Sequence, residues 1–185
     1  MTKQELHQKD KIISPLIEQG QSPYHILTNH PELDMSVRIM YSYLDQGLYS
    51  AFCALNLSAY VEMDTVHSSR DSKKTLLTMF FTREKLFLAF LMNRCTKGAV
   101  RLVFDRLERR MGTHEFASVF EYILTDRGSE FGDPAALETG VTRIQRSSIY
   151  YCDPMQSGQK GGLEQAHTML RMIFPKGTSF EFLTQ

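Results

Sequence analysis

Residues 122–134 read YILTDRGSEFGDP, and this stretch predicts a strand followed by a turn in the second half of the chain. The apolar run Tyr122–Leu124 is typical of a short buried strand, and it stops at the carboxylate of Asp126. Gly128 and the turn residues Gly132–Pro134 then lead the chain away. A single acid in such a place is most often a turn or capping residue. Open α/β sheets also bind their ligands at strand ends, so Asp126 is a candidate functional residue as well.

The segments around this stretch predict an α/β fold with the element order β-β-β-α-β-α-β-α and a mixed five-stranded sheet. Apolar runs predict strands at 59–66, 75–84, 86–94, 122–125 and 147–152. Helical periodicity predicts helices at 96–112, 113–121, 134–140 and 161–174. The first of these helices has a predicted buried face of Val100, Val103, Phe104 and Leu107. Its predicted exposed face consists of Arg101, Asp105, Glu108 and Arg109.

The first 47 residues predict three short helices joined by tight turns. The first covers Lys9–Glu18, and the second begins at the capping residue Ser22 with Pro23 in its first turn. The third follows a second capping residue, Ser36. This arrangement indicates either a helix-turn-helix unit or a helical hairpin that packs on the next domain.

The composition narrows the class of protein. The 185 residues carry 21 Lys and Arg against 21 Asp and Glu, so the chain lacks the strong positive charge typical of nucleic-acid binders. Its longest apolar run, Leu86–Met92, is far shorter than the roughly 20 residues that span a membrane, which favours a cytoplasmic protein. Cys53, Cys95 and Cys152 lie far apart without a C-x-x-C pair. We therefore expect small buried side chains, and neither a zinc site nor a disulfide framework.

Three acids fall where the predicted fold could bring them together. Asp64 lies near the end of the first strand, and the crossover rule places the fourth strand, which ends at Asp126, beside it. Glu164 lies in the first turn of the last helix, at the edge of its predicted buried stripe. That stripe consists of Leu163, Ala166, Met169, Leu170 and Ile173. Three carboxylates without basic partners would repel one another, and Mg²⁺ or Mn²⁺ ions would neutralise them.

Other acids compete for these positions. Glu62 lies two residues before Asp64 on the same strand, and three further acids could replace Glu164: Glu130, Glu138 and Glu181. Taken singly, an acid at a strand end is commonly a turn residue, and an acid at a helix start favours the helix dipole. Spacing alone therefore leaves metal catalysis as the less common explanation.

Three segments together resemble a known family of bacterial transposases. They are VEMDTV (61–66), LTDRGSEFGDP (124–134) and YYCDPMQSGQKGGLEQAHTMLRMIFPKGT (150–178). Over residues 57–185 the chain is similar to DDE-class insertion-sequence transposases, closest to the insertion sequence thirty family. The resemblance implies a ribonuclease-H-like integrase core at 58–185, a shortened linker at 48–57 and a helix-turn-helix unit at 1–47. Relatives have a longer basic linker and continue further, so we expect an internally shortened and C-terminally trimmed transposase.

The resemblance also implies a chemistry. Asp64, Asp126 and Glu164 would form the catalytic triad that binds two Mg²⁺ ions, or Mn²⁺, for two-metal phosphoryl transfer. The substrates would be the terminal repeats of an insertion sequence and a target DNA. Two transposon ends must be held together, which predicts a homo-oligomer. The expected location is the bacterial cytoplasm, at the nucleoid, without membrane contact.

Several cations are candidates for DNA contacts. Lys160, Arg171 and Lys176 flank Glu164 and could bind phosphates, although each could equally be a solvated surface residue. Ser36 and Arg38 begin the predicted recognition helix. Two other functions stay open: an inactive remnant that only binds DNA, and a metal-dependent nuclease of the same fold.

Overall fold

The computed structural model describes residues 9, 12–13, 15–17, 19, 21–36, 40, 52–53, 55–152 and 157–184. The chain divides into two compact units, Met1–Leu57 and Ser58–Gln185. Within the described ranges, no helix combines the length and the apolar character that a membrane crossing requires.

The described part of the first unit is built around helix α1 (Pro23–Asn29). The helix begins where the sequence predicts, because Ser22 Oγ accepts a 3.3 Å hydrogen bond from the backbone N–H of His25. A 3₁₀ turn at Pro31–Leu33 follows. A small apolar core is formed by Ile13, Ile17, Ile26, Leu33 and Met40.

The structure describes the third predicted helix only at its capping residue, Ser36, and at Met40. The carbonyl of Ser36 accepts a 2.9 Å hydrogen bond from the N–H of Met40, which is the i to i+4 spacing of an α-helix. Arg38 lies outside the described residues. The prediction that this helix reads DNA therefore stays a prediction.

The second unit contains a five-stranded mixed sheet with the strand order β3-β2-β1-β4-β5. Strands β1 (Val61–His67), β2 (Thr75–Phe81) and β3 (Leu86–Met92) form an antiparallel meander. Strands β4 (Tyr122–Thr125) and β5 (Ser148–Tyr151) run parallel to β1. The helical crossover after β3 sets β4 beside β1, as predicted.

Helices cover both faces of this sheet. In chain order they are α2 (Lys97–Met111), α3 (Thr113–Val119), α4 (Pro134–Glu138) and α5 (Gly161–Ile173). Successive residues of β2 point to opposite faces. Phe80 packs in a cluster with residues of α5, and the ring of Phe81 meets that of Phe120 at 5.4 Å, just after α3. The predicted α/β class with a mixed five-stranded sheet is confirmed.

Helix α5 buries a narrower stripe than predicted. Leu163, Ala166 and Leu170 are buried against the sheet. Met169 and Ile173, which the sequence assigned to the same stripe, are 60% and 70% exposed. Both lie at the edge of the stripe, so the rotation of about 100° per residue leaves them at the solvent side of the contact with the strands.

The predicted exposed face of α2 is wrong at two positions. Asp105 and Glu108 are buried because the enclosed side chain of Arg146 pairs with both. Its Nη1 lies 2.7 Å from Asp105 Oδ1 and 2.8 Å from Glu108 Oε2. Its other N–H groups donate to the carbonyl oxygens of Leu137 at 2.8 Å and Ala136 at 3.0 Å. Buried charges are tolerated when they are paired and hydrogen-bonded, so these residues form an internal ion-pair cluster.

Candidate active site

Two of the three predicted metal ligands come from neighbouring parallel strands. Asp64 and Asp126 each directly follow the last paired residues of the β1–β4 ladder. Asp64 Oδ1 accepts a 2.7 Å hydrogen bond from the N–H of Thr65, and Asp126 Oδ1 accepts a 2.9 Å bond from the N–H of Gly128. These bonds orient both carboxylates and leave one oxygen of each, Oδ2, for a common partner.

That partner is Lys160, the residue before α5. Its Nζ lies 2.9 Å from Asp64 Oδ2 and 3.5 Å from Asp126 Oδ2, and it donates to the carbonyl of Met63 at 3.3 Å. The two aspartates therefore share a basic partner and are not a cluster of unpaired carboxylates. The sequence predicted that the Lys160 ammonium lies at the surface. In the structure the Lys160 side chain is only 3% exposed, so this prediction is wrong. A buried ammonium needs nearby carboxylates, and the two aspartates supply them.

The third predicted ligand, Glu164, is not one of the carboxylates paired with Lys160. Glu164 is exposed in the first turn of α5. Among the described residues, the carboxylates that pair with Lys160 are those of Asp64 and Asp126. The structure thus brings the two aspartates together and leaves Glu164 on the exposed side of the helix.

His167 links the same helix to the sheet. Its Nε2 and the Oγ1 of Thr78 on β2 are 2.8 Å apart and share a hydrogen bond. Burial lowers the pKa of His167, and the negative charges of Asp64 and Glu164 oppose that shift. The ring therefore helps to hold α5 on β2 close to the aspartates.

Glu62 anchors the start of α5. Its Oε2 accepts a 2.6 Å hydrogen bond from the N–H of Leu163, one of the donors that the first turn of a helix leaves unsatisfied. Burial raises the pKa of Glu62, while the Leu163 N–H and the positive charge of Lys160 oppose the shift. The acid that competed with Asp64 in the sequence thus holds the helix that carries Glu164.

Replacing Gly162 with alanine is expected to push α5 off the sheet. A methyl group there would overlap the ring of Phe80 and lie 3.2 Å from Glu62 Oε2, whereas one at Gly161 would meet nothing within 4 Å. Overpacking of this kind costs about 1–3 kcal/mol. Chemical denaturation should show Gly162→Ala destabilised by that amount, while Gly161→Ala matches or exceeds the wild type because alanine favours helix. Equal stability of the two variants would contradict this packing.

Glu130 is a buried acid beside the turn after Asp126. Thr65 Oγ1 donates a 2.6 Å hydrogen bond to Glu130 Oε1. Gly128 makes space for both carboxylates, since a methyl group there would lie 2.7 Å from Glu130 Oε2 and 3.0 Å from Asp126 Oδ1. Its φ of −51° is open to any residue, so close approach and not backbone conformation requires glycine here.

The other competing acids have partners of their own. Glu138 Oε1 accepts a 2.9 Å hydrogen bond from the N–H of Ile149, and Glu181 Oε1 accepts a 2.7 Å bond from Ser72 Oγ. Neither carboxylate joins the pair of aspartates at Lys160. Their contacts favour structural roles over metal binding.

The predicted DNA-contacting residues are spread over both units. Arg171 is half-buried, and its Nη1 donates a 3.5 Å hydrogen bond to the carbonyl of Phe174. Lys176 and Ser36 are exposed. A role of these side chains in DNA binding stays a prediction.

The cysteines differ from the expectation that all three are buried. Cys152 is buried, Cys95 is half-buried and Cys53 is exposed. Burial and the nearby charge of Glu130 raise the pKa of the Cys95 thiol to about 11. A raised pKa keeps the Cys95 thiol protonated at neutral pH when no metal is bound.

The chain is similar to known proteins both in sequence and in structure. No family model matches the chain. The chain is 28% identical over 126 residues to "Putative integrase ORF3" of Spiroplasma virus SpV1-R8A2 B. The match covers 68% of this chain, which spans 37% of the length of that relative.

Solved structures that match the chain include the following two. One chain of the cryo-electron-microscopy structure of the simian T-cell lymphotropic virus intasome, in complex with PP2A regulatory subunit B56 gamma, matches with a TM-score of 0.50 and 14% identity. The match covers 68% of this chain and 43% of that chain. The catalytic core domain of BIV integrase matches with a TM-score of 0.44 and 20% identity, over 63% of this chain and 68% of that chain. The topology of the sheet and the match to the intasome chain confirm the predicted ribonuclease-H-like fold, a mixed sheet flanked by helices.

Proposed function

We propose that this chain carries the catalytic core of a DDE-class transposase, related to the insertion sequence thirty family, which cuts and joins DNA strands. The observation that carries the proposal is the shared cation: Asp64 and Asp126 aim one free oxygen each at one positive charge. The likeness to a protein named as an integrase and the ribonuclease-H-like fold both support it.

The donor set fits Mg²⁺ or Mn²⁺. Carboxylate oxygens are the ligands that these hard cations prefer, and the ammonium of Lys160 marks the point where Asp64 and Asp126 stabilise positive charge. The two aspartates would hold a divalent ion there, and Glu164 would complete the set from α5. Divalent ions, when bound, supply an activated oxygen nucleophile and stabilise the leaving oxygen of a phosphodiester.

The chain itself orients the ligands. The backbone N–H groups of Thr65 and Gly128 hold one oxygen of each aspartate, which presets the other oxygen toward the cation. Glu62 holds the start of α5, and so fixes the backbone position of Glu164. Exposed Lys176 and partly exposed Arg171 would add phosphate contacts that carry no sequence information.

The organisation expected of a transposase extends to the rest of the chain. Residues 1–47 would form the helix-turn-helix unit that binds terminal repeats through Ser36 and Arg38, residues 48–57 the linker, and residues 58–185 the catalytic core. Two DNA ends must be held together, so the active form would be a homo-oligomer bound to DNA at the bacterial nucleoid.

Removing the charge of Lys160 is expected to strengthen divalent binding. The ammonium competes with the metal ion for the same two oxygens. At this distance the electrostatic interaction between two unit charges is worth roughly 1 kcal/mol or more. Lys160→Met should therefore bind Mn²⁺ about tenfold more tightly in calorimetric titration. Without metal the variant should unfold at a lower temperature than the wild type, because the two aspartates then lack a counter-charge.

The matched control is Lys176→Met, which removes one exposed lysine from the same region of the sequence. It should leave both the Mn²⁺ affinity and the melting temperature unchanged. If Lys160→Met binds Mn²⁺ no more tightly than Lys176→Met does, Lys160 does not occupy the cation position.

A strand-transfer assay tests the function itself. The full chain is incubated with Mg²⁺ and labelled duplexes that carry the DNA flanking its coding sequence. Joining of these ends to a target duplex supports the transposase. Cutting without joining would instead assign a metal-dependent nuclease, and binding without cutting a DNA-binding remnant.

A further inference from the structure

We propose that His67, Cys95 and Glu130 form a second metal site, which takes a thiophilic divalent ion such as Zn²⁺. The three side chains come from separate parts of the core: the end of β1, the turn after β3 and the 3₁₀ turn after β4. Among the residues that the structure describes, each offers one ligand atom, and these atoms lie within 4.8 Å of one another. This site does not rest on the proposed transposase function.

The donor chemistry selects the ion. A thiolate, an imidazole and a carboxylate are all common zinc ligands, whereas Mg²⁺ prefers oxygen alone. Zinc bonds of about 2.0–2.3 Å place ligand atoms about 3–4 Å apart, so side-chain movements of about 1 Å close the site. When the sulfur takes the metal, the thiol proton of Cys95 leaves to solvent, and one proton is released for each ion bound.

The surrounding contacts hold two of the ligands in place. Thr65 Oγ1 donates to Glu130 Oε1 at 2.6 Å, and the thiol of Cys95 lies 4.0 Å from the same hydroxyl oxygen. Glu130 is buried, so its carboxylate has few orientations to lose on binding. Thr65 thus orients Glu130 by a hydrogen bond, as the hydrogen-bonding partners of metal ligands do in other metal sites.

The third ligand leaves the site open on one side. His67 is exposed and, with Cys95, lines a groove of about 520 Å³. Three cations, Arg70, Lys73 and Arg94, line the same groove. Three protein ligands and an accessible fourth position are the arrangement of zinc sites that exchange a water molecule.

The site adjoins the pair of aspartates through Thr65 and Gly128. The side chain of Thr65 contacts Glu130, and its backbone N–H donates to Asp64 Oδ1 at 2.7 Å. Gly128 lies beside the carboxylate of Glu130, and its N–H donates to Asp126 Oδ1 at 2.9 Å. The two sites therefore have different ligands and share two neighbours. Loss of an Asp126 ligand should leave the second site intact.

Cobalt titration tests this site because Co²⁺ replaces Zn²⁺ and reports a bound thiolate by its colour. The full chain, freed of metal by a chelator and without a histidine tag, is titrated with Co²⁺. We expect a sulfur-to-cobalt charge-transfer band and the visible spectrum of a four-coordinate ion, saturating at one ion for each chain. Addition of Zn²⁺ should remove both.

Variants assign the ligands. Cys95→Ser should abolish the charge-transfer band, and His67→Asn, at an exposed position, should weaken Co²⁺ binding by at least about tenfold. Cys53→Ser, at the exposed cysteine, and Asp126→Asn should both leave the band unchanged. The proposal is overturned if no band appears at one equivalent, if the band survives in Cys95→Ser, if His67→Asn binds Co²⁺ as tightly as the wild type, or if Asp126→Asn removes the band.

Discussion

Asp126→Asn is expected to abolish Mg²⁺-dependent cutting and joining of DNA by this chain. The substitution keeps the size of the side chain and removes the charge that faces the shared cation 3.5 Å away. A bound divalent ion supplies several kcal/mol of transition-state stabilisation, so its loss corresponds to about 10³-fold or more in rate. The strand-transfer assay on labelled duplexes measures it.

Asp133→Asn is the matched control for this experiment. Asp133 is an exposed acid that caps α4, where Oδ1 accepts from the N–H of Ala136 at 3.3 Å. Asparagine caps helices as well as aspartate does, so this variant removes one negative charge and should keep the parent activity. Activity of Asp126→Asn close to that of Asp133→Asn would remove Asp126 from the mechanism.

Arg146→Met is expected to destabilise the second unit by about 3–5 kcal/mol, the usual cost of removing one partner from a buried ion pair. The substitution leaves the carboxylates of Asp105 and Glu108 buried without the guanidinium that neutralises them. It also takes hydrogen-bond donors from the carbonyls of Leu137 and Ala136. Urea denaturation followed by circular dichroism measures the loss.

Arg101→Met serves as the comparison because Arg101 pairs with the same Asp105. Its Nε lies 3.5 Å from Asp105 Oδ2, but the side chain is 58% exposed. Exposed pairs contribute about 0–1 kcal/mol, so this variant should unfold close to the wild type. If both variants lose a similar free energy of unfolding, the burial of Arg146 does not determine how much it stabilises the fold.

Local patterns in the sequence were enough to predict the sheet. The run Tyr122–Leu124 is apolar and is followed closely by Asp126 and Gly128, so the predicted strand 122–125 agrees with β4 (Tyr122–Thr125). The crossover rule then placed β4 beside β1, and with it Asp126 beside Asp64. The first inference needs only residues that are neighbours in the sequence. The second needs only the right-handedness of the crossover connection between parallel strands.

The sequence could not predict contacts that depend on how distant segments meet. The pattern around Lys160 is that of a surface lysine, and only the turn before α5 directs its ammonium to the two aspartates. Arg146 reaches α2 from the segment after α4, so nothing in the helical pattern of Asp105 and Glu108 revealed their burial. Helical periodicity shows which face of one helix is polar. It does not show that a charged residue from another segment will bury part of that face.

The cluster at Cys95 was missed for a similar reason. Zinc sites are recognised in sequence by short spacings such as C-x-x-C, but His67, Cys95 and Glu130 come from three separate turns. Only the pairing of β1, β2 and β3, and of β1 with β4, brings these turns to one end of the sheet.

Anomalous diffraction from crystals of the full chain grown with Mn²⁺ locates the ion relative to its ligands and so tests whether Asp64 and Asp126 bind it. We expect a manganese peak between the carboxylates of Asp64 and Asp126, with the ammonium of Lys160 displaced from both. The contradictory result is an intact Lys160–aspartate ion pair at saturating Mn²⁺, with no manganese at the two strand ends.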